Sequence, residues 1–126
     1  MKKWIFVLLA GLFLTACGEN TGKEGIYVSI SAQEAKQIMD TEANFLILDV
    51  RTQAEYDQGH IPGAVLIPDT EIRAKAAQTL PDKNQLILVY CRSGRRSKNA
   101  AQILAELGYT NIREFGGILD WPYEVE

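Results

Sequence analysis

The sequence predicts a single α/β domain built on a mainly parallel sheet. Five apolar runs rich in β-forming residues alternate with segments of helical periodicity, which is the pattern of such domains. Two runs, FLILDV at 45–50 and LILVY at 86–90, are nearly continuous in apolar residues, as expected of central strands that are buried on both faces. A length of 126 residues with 47% hydrophobic residues suits one folded domain.

The predicted elements follow the chain in order. A capping-box pattern, Ser31-Ala-Gln-Glu34, marks the start of the first helix. A weaker helix is predicted over Glu71–Leu80, and the clearest helix follows Cys91 and ends at Gly108. The five predicted strands are Tyr27–Ile30, Phe45–Val50, Ala64–Ile67, Leu86–Tyr90 and Asn111–Phe115.

The first residues predict export and lipid attachment rather than a fold. Two lysines precede an apolar run at 4–14, which ends in Leu14-Thr15-Ala16-Cys17; this resembles a bacterial lipoprotein signal and its lipobox. The resemblance implies a signal peptide at 1–16, acylated Cys17 (palmitate among its lipids) with a flexible tether at 17–26, and a domain at 27–126. The protein would then be lipid-anchored to a membrane and face outside the cytoplasm, in the periplasm or at the cell surface. A plain secretory signal or an anchor helix is the alternative.

Composition excludes several function classes. A net charge of −3 disfavours a general nucleic-acid binder. The two cysteines and one histidine cannot supply a four-ligand metal site of Cys and His. Neither a Walker A loop nor a G-x-G-x-x-G turn is present, so we expect no metal and no cofactor.

The segment after the fourth predicted strand carries the strongest chemical signal. Cys91 is followed by Arg92-Ser93-Gly94-Arg95-Arg96 and then by a helix. Ligands of open α/β sheets bind beyond the carboxyl ends of strands, and a helix N-terminus favours anions. Backbone N–H groups and arginines at such a turn would stabilise a thiolate at Cys91. The alternatives are a core thiol beside a solvated helix start, a phosphate or nucleic-acid patch, and a Cys-His pair with His60.

Four separated motifs make the chain resemble a rhodanese domain. They are Asp49-Val-Arg51 with Glu55-Tyr56, Gly59-His60-Ile61-Pro62-Gly63-Ala64, Tyr90-Cys91-Arg92-Ser93-Gly94-Arg95-Arg96-Ser97, and Gly116-Gly117 with Trp121. Their order and spacing, from about residue 28 to 121, carry the resemblance. It implies a five-stranded parallel sheet flanked by helices on both faces.

The resemblance also implies a reaction, in which Cys91 accepts the sulfane sulfur of a donor such as thiosulfate as a persulfide. Cyanide or a small-molecule or protein thiol then takes the sulfur. The residues 92–96 are expected to bind the persulfide and its anionic donor.

Roles for the remaining motif residues are left open by the sequence. Asp49 and Arg51 either shape the pocket by hydrogen bonding or form a purely structural ion pair. His60 and Trp121 are expected to be structural, and Glu55 with Tyr56 to be scaffold.

Two other functions remain open. A domain that carries a persulfide without turnover, or senses sulfide, would use the same cysteine.

Related Cys-dependent phosphatases and arsenate reductases have a loop one residue longer, with arginine six positions after the cysteine; here that position is Ser97. The shorter ring of amides suits one sulfur atom better than a phosphoryl group.

A monomer is the expected oligomeric state.

Overall fold

The computed structural model describes residues 26–126. Its strands are β1 (Val28–Ser29), β2 (Phe45–Asp49), β3 (Val65–Leu66), β4 (Leu86–Cys91) and β5 (Ile112–Gly117). Its helices are α1 (Ala32–Thr41), α2 (Gln53–Gln58), α3 (Ile72–Thr79) and α4 (Arg95–Glu106), with 3₁₀ turns at Asp69–Glu71 and Ile118–Asp120. The predicted signal peptide, Cys17 and most of the tether lie outside the described residues. Between residues 26 and 126, no helix is long and apolar enough to cross a membrane.

The sheet has the order β1-β5-β4-β2-β3, and every neighbouring pair is parallel. The five-stranded parallel sheet predicted from the sequence is therefore confirmed. The two longest apolar runs form β2 and β4, side by side near the centre, with Asp49 in register with Tyr90. Because parallel strands end at the same edge, the residues that follow β2 and β4 are brought together there.

Helices cover both faces of the sheet, as predicted. On one face, α3 and α4 bury Ile72, Ala76 and Leu104 against the strands. On the other, Ala35 of α1 packs with Trp121 of the C-terminal segment. Each face therefore contributes its own apolar core, and the central strands lie between two layers.

Two features differ from the sequence prediction. The edge strands β1 and β3 have two residues each, shorter than predicted, because each pairs with a single neighbour. Helix α2 was not predicted from periodicity, since six residues hold less than two turns. Its start nevertheless carries a signal, because Thr52 and Glu55 form a capping box like that of Ser31 and Glu34.

An ion pair joins α2 to α4 beside the end of β4. Arg96 donates from Nη1 and Nη2 to the two carboxylate oxygens of Glu55, at 2.8 and 2.9 Å. Glu55 also accepts from the backbone N–H of Thr52 at 2.9 Å. The Arg96 hydrogen bonds, with those of Thr52, lower the pKa of Glu55 to about 2. The side chains are 21% and 25% exposed, so solvent screens this pair less than a surface pair.

Replacing Glu55 by Gln should destabilise the fold in a pH-dependent way. Because the folded pKa of Glu55 lies below its ordinary value, the stabilisation is present above about pH 4.5 and is lost as pH falls towards 2. We expect Glu55→Gln to lower the free energy of unfolding by roughly 1–3 kcal/mol at neutral pH. Denaturant titrations at several pH values measure the gap in the free energy of unfolding between the wild type and Glu55→Gln. The control is Glu106→Gln, because Glu106 forms an exposed ion pair with Arg73. A gap that stays constant down to pH 2 would show that charge is not its source.

Candidate active site

The turn between β4 and α4 holds the predicted nucleophile. Cys91 is the last residue of β4, and α4 begins four residues later at Arg95. The Sγ atom of Cys91 accepts a hydrogen bond from the backbone N–H of Gly94 at 3.0 Å. Gly94 has φ +112°, a conformation that residues with a Cβ rarely adopt. The glycine therefore lets the chain curl back so that a main-chain donor faces the sulfur.

The sulfur is buried but directed at the loop. Cys91 is 1% exposed and belongs to the apolar core beneath α4. In addition to the Gly94 N–H, the Ser97 hydroxyl lies 3.5 Å from Sγ. The Cys91 side chain thus has polar neighbours on the loop side, whereas a thiol that only fills the core needs none.

The N-terminus of α4 adjoins the sulfur. Its cap residue, Gly94, has no side chain that could bind the first-turn N–H groups. Such groups have no partners within the helix and attract negative charge. The loop therefore offers main-chain donors and the positive end of a helix to an anion formed at Cys91.

The arginines of this turn divide into two groups. Arg96 is held by Glu55 and turned towards α2, and this carboxylate raises its pKa. Arg92 and Arg95 are exposed, and within residues 26–126 no carboxylate lies close enough to form a salt bridge with either. Ser93 is also exposed. Two positive side chains therefore stand free at the outer rim of the loop.

Asp49 and Arg51 form a buried ion pair at the neighbouring strand end. Arg51 donates from Nε and Nη2 to the Asp49 carboxylate, the Nη2 bond measuring 2.7 Å. Arg51 also donates to the carbonyl of Gly59 at 2.8 Å, and Tyr90 donates to Asp49 at 2.5 Å. Burial and the hydrogen bond to Asp49 raise the pKa of Tyr90. Both charges are therefore satisfied within the protein.

His60 and Trp121 lie in packing contacts. The His60 ring stacks on Tyr56 with centroids 3.8 Å apart, and its Nδ1 lies 2.9 Å from the Tyr56 carbonyl oxygen. Trp121 packs between Phe115 and Tyr123. Both rings therefore make packing contacts, and their structural roles stay predictions.

The sequence analysis assigned no role in the site to two residues behind the cysteine. Ser97 in α4 and Glu114 in β5 are 0% and 1% exposed. The Ser97 hydroxyl donates to Oε2 of Glu114 at 2.6 Å. One signal was available, because Glu114 follows Ile112 by two positions in β5 and shares its buried face. An acid at a core-facing strand position needs polar partners.

A cleft of about 400 Å³ opens beside the loop. Its lining includes the charged residues Arg51, Glu55 and Arg92 and the apolar residues Leu119, Trp121 and Val125. A larger groove of about 880 Å³ shares Trp121 and Tyr123 with this cleft and is otherwise lined mainly by apolar residues such as Met39. Among the described residues, no arginine lines that groove and Cys91 lines neither cavity, so the smaller cleft, with its arginines, is the better suited to an anionic ligand. Within residues 26–126, no three His, Cys, Asp or Glu side chains are grouped as metal ligands.

The loop rests directly on Gly117 at the end of β5. A Cβ atom at this position would lie 2.0 Å from the carbonyl oxygen of Arg92 and 2.6 Å from Cα of Ser93. Main-chain atoms cannot move aside by rotamer changes, so a methyl group here would displace the loop.

Replacing Gly117 by Ala should therefore damage the loop more than the fold. We expect a loss of roughly 1–3 kcal/mol in the free energy of unfolding, the usual cost of overpacking. The reaction of Cys91 with a sulfur donor should fall by far more than this change in stability explains. Gly63→Ala is the control, because a Cβ there meets no atom within 4 Å, although its φ of +84° carries its own backbone cost. Equal reactivity of Gly117→Ala and the control would contradict the close contact.

Comparison with known proteins identifies the family of the domain. The sequence matches the rhodanese-like domain family over residues 31–123. Thiosulfate sulfurtransferase PspE of Escherichia coli is 44% identical over 73 residues, which are 58% of this chain and 70% of that protein. The "Putative sulfur carrier protein YrkF" of Bacillus subtilis is 35% identical over 116 residues, which are 90% of this chain and 62% of that protein.

Solved structures agree with the sequence relatives. A rhodanese with anions from E. coli has a TM-score of 0.61 and 40% identity, and the alignment covers 64% of this chain and 95% of that chain. The rhodanese-like domain of an Anabaena protein has a TM-score of 0.73 and 28% identity, with 80% of each chain covered. The family match covers residues 31–123, and the solved rhodanese domains share the fold, so this chain belongs to the rhodanese family of sulfurtransferases.

Proposed function

We propose that the protein moves a sulfane sulfur from an anionic donor such as thiosulfate to a thiophilic acceptor through a persulfide on Cys91. The Cys91 thiolate attacks the outer sulfur of thiosulfate and forms a new S–S bond. The S–S bond of thiosulfate breaks, and its electron pair leaves with sulfite. Cyanide or a thiol then attacks the outer persulfide sulfur, which restores the Cys91 thiolate.

The observation that carries this proposal is the hydrogen bond from the Gly94 N–H to the Cys91 sulfur, 3.0 Å long. It shows a main-chain donor already aimed at the reacting atom. A persulfide places its negative charge one bond further out, towards the first turn of α4. Preorganised main-chain donors stabilise such charge without reorganising during the reaction.

Arg92 and Arg95 support an anionic donor. Both side chains are exposed at the rim of the loop, whereas Arg96 is held by Glu55. Two exposed positive charges raise the local concentration of a dianion such as thiosulfate. The E. coli relative solved with anions is consistent with this charge preference.

A persulfide carrier is the second candidate, favoured by the relative named as a sulfur carrier. A carrier loads sulfur on the same cysteine but passes it to a dedicated protein instead of a small acceptor. Loading and turnover therefore have to be measured separately.

Treatment of the full chain with thiosulfate should add one sulfur atom to Cys91. Intact-mass and peptide mass spectrometry detect the gain, which should be absent from Cys91→Ala. Release of sulfite and formation of thiocyanate with cyanide report turnover. Loading without turnover on any small acceptor would favour the carrier. Hydrolysis of a phosphomonoester that depends on Cys91, with no reaction with thiosulfate, would contradict both.

Replacing Arg92 and Arg95 together by Gln should weaken the reaction with thiosulfate at low salt. We expect a loss of roughly tenfold in kcat/KM, mostly through KM, because long-range attraction acts before chemistry. The difference should shrink as ionic strength rises. Arg73→Gln, distant from the loop in an exposed pair with Glu106, is the control. A loss confined to kcat and insensitive to salt would contradict this role.

We also propose that lipid on Cys17 anchors the protein to a membrane outside the cytoplasm. The support is the sequence Leu14-Thr15-Ala16-Cys17 after an apolar run. In a bacterial host the full chain should incorporate labelled palmitate and partition into detergent, and Cys17→Ser should do neither. Labelling of Cys17→Ser to the same extent would contradict the anchor.

A further inference from the structure

Glu114 is a buried carboxylate that the sulfur chemistry described so far does not use. It is 1% exposed and lies in β5, across from the start of α4. Its Oε2 accepts from the Ser97 hydroxyl at 2.6 Å and from the Gly116 N–H at 2.7 Å. Its Oε1 accepts from the Ser29 hydroxyl at 3.0 Å, and Lys98 Nζ lies 3.6 Å away. Buried acids persist where donors satisfy them, and these partners also fix the direction of the carboxylate.

The Ser97 hydroxyl connects this carboxylate to the cysteine. A hydroxyl has one proton to donate and lone pairs with which to accept. Three acceptors surround Ser97 Oγ: Glu114 at 2.6 Å, and the carbonyls of Gly94 and Gly116 at 3.0 and 3.4 Å. The shortest of these contacts goes to the charged acceptor, which forms the stronger hydrogen bond. The Ser97 proton then points to Glu114, and an oxygen lone pair is free to face Cys91 Sγ at 3.5 Å.

This arrangement provides an internal path for the thiol proton. Cys91 and Ser97 are 1% and 0% exposed, so the polar partners of the sulfur are groups of the protein. The path from Sγ to Oγ to Oε2 consists of two hydrogen-bond contacts. No other carboxylate among the described residues contacts the Ser97 hydroxyl.

We propose that Glu114 accepts the proton of the Cys91 thiol through Ser97 and holds it while Cys91 is ionised. The S–H bond breaks as its proton moves to Ser97 Oγ, and the original Ser97 proton moves to Glu114 Oε2. Ser97 ends with one proton and now donates to the thiolate, and Glu114 ends as a neutral acid. No electrons are exchanged. Glu114 is thus a positioning residue that acts through Ser97, and the inference rests on the proposed persulfide chemistry.

The consequence is a reactive state with constant charge. Ionisation moves one negative charge from Glu114 to Cys91 and leaves the total unchanged, so an anionic donor meets one buried negative charge instead of two. The other charged groups near this path are Lys98 beside Glu114, and Arg96 with its partner Glu55 and nearby Asp69.

The test is the pH profile of sulfur loading, measured on the full chain by rapid quench and mass spectrometry. Thiosulfate is fully ionised near neutral pH, so the profile reports on the protein. If Cys91 and Glu114 share a proton, the loading rate of the wild type should be flat between about pH 6 and pH 8. In Glu114→Gln the thiol must release its proton to solvent. Its rate should be at least tenfold lower than wild type at about pH 6 and should rise about tenfold per pH unit.

Two further variants separate the path from a packing effect. Ser97→Ala interrupts the path and should give the same sloping profile, and the double variant should lose no more than either single one. Glu106→Gln carries the same substitution at an exposed position of α4 and should retain the flat profile. If Glu114→Gln does not fold, Ser97→Ala and the wild-type profile still decide the question.

The outcomes separate the role of Glu114 from the persulfide proposal. A wild-type rate that rises tenfold per pH unit, or a Glu114→Gln profile that is flat or shifted to acid, would overturn the role of Glu114 but leave the persulfide proposal standing. A wild type that takes up no sulfur at any pH would overturn the proposed function, and this inference with it.

Discussion

The site depends on one turn of the main chain that points back at a sulfur atom. At Gly94 the backbone adopts φ +112° and directs its N–H to Cys91 Sγ at 3.0 Å. Without that turn, Cys91 would be one more apolar residue at the end of a central strand. With it, the sulfur lies between a main-chain donor, a serine hydroxyl and the positive end of a helix. These are the surroundings that stabilise an anion on sulfur.

Contacts from three directions hold the turn in place. From below, Cys91 is fixed at the end of β4, the middle strand of the sheet. From one side, β5 brings Gly117 so close that a Cβ would overlap the carbonyl of Arg92. From another, Glu55 of α2 holds Arg96 and so fixes the first turn of α4. The rigid scaffold thus keeps the reacting atoms in position, and the exposed Arg92 and Arg95 remain free to meet a ligand.

Much of the fold could be predicted because it rests on strong local signals. The apolar runs at 45–50 and 86–90 are too continuous for half-exposed strands, and they form β2 and β4. The helix after Cys91 has a clear period and a glycine stop, and it forms α4. Edge strands were predicted too long because their length depends on one partner strand, which local sequence does not record. Helix α2 was missed because six residues give too little periodicity.

The same contrast between local signals and contacts of distant residues applies to the site. Cys91 and its loop could be found because their residues are consecutive. The separation of the arginines could not, because it depends on Glu55, which lies 41 positions from Arg96. The sequence could not show how the Asp49–Arg51 pair is satisfied, because Tyr90, which donates to Asp49, lies 41 positions away. Glu114 contacts Ser97 across 17 positions, and its burial is a property of the assembled sheet.

A crystal structure of the thiosulfate-treated protein tests the central claim most directly. The account predicts a second sulfur atom bonded to Cys91 Sγ, inside the turn and within hydrogen-bond distance of first-turn N–H groups of α4. An unmodified Cys91 with thiosulfate bound elsewhere, or an added sulfur directed away from the turn, would contradict it.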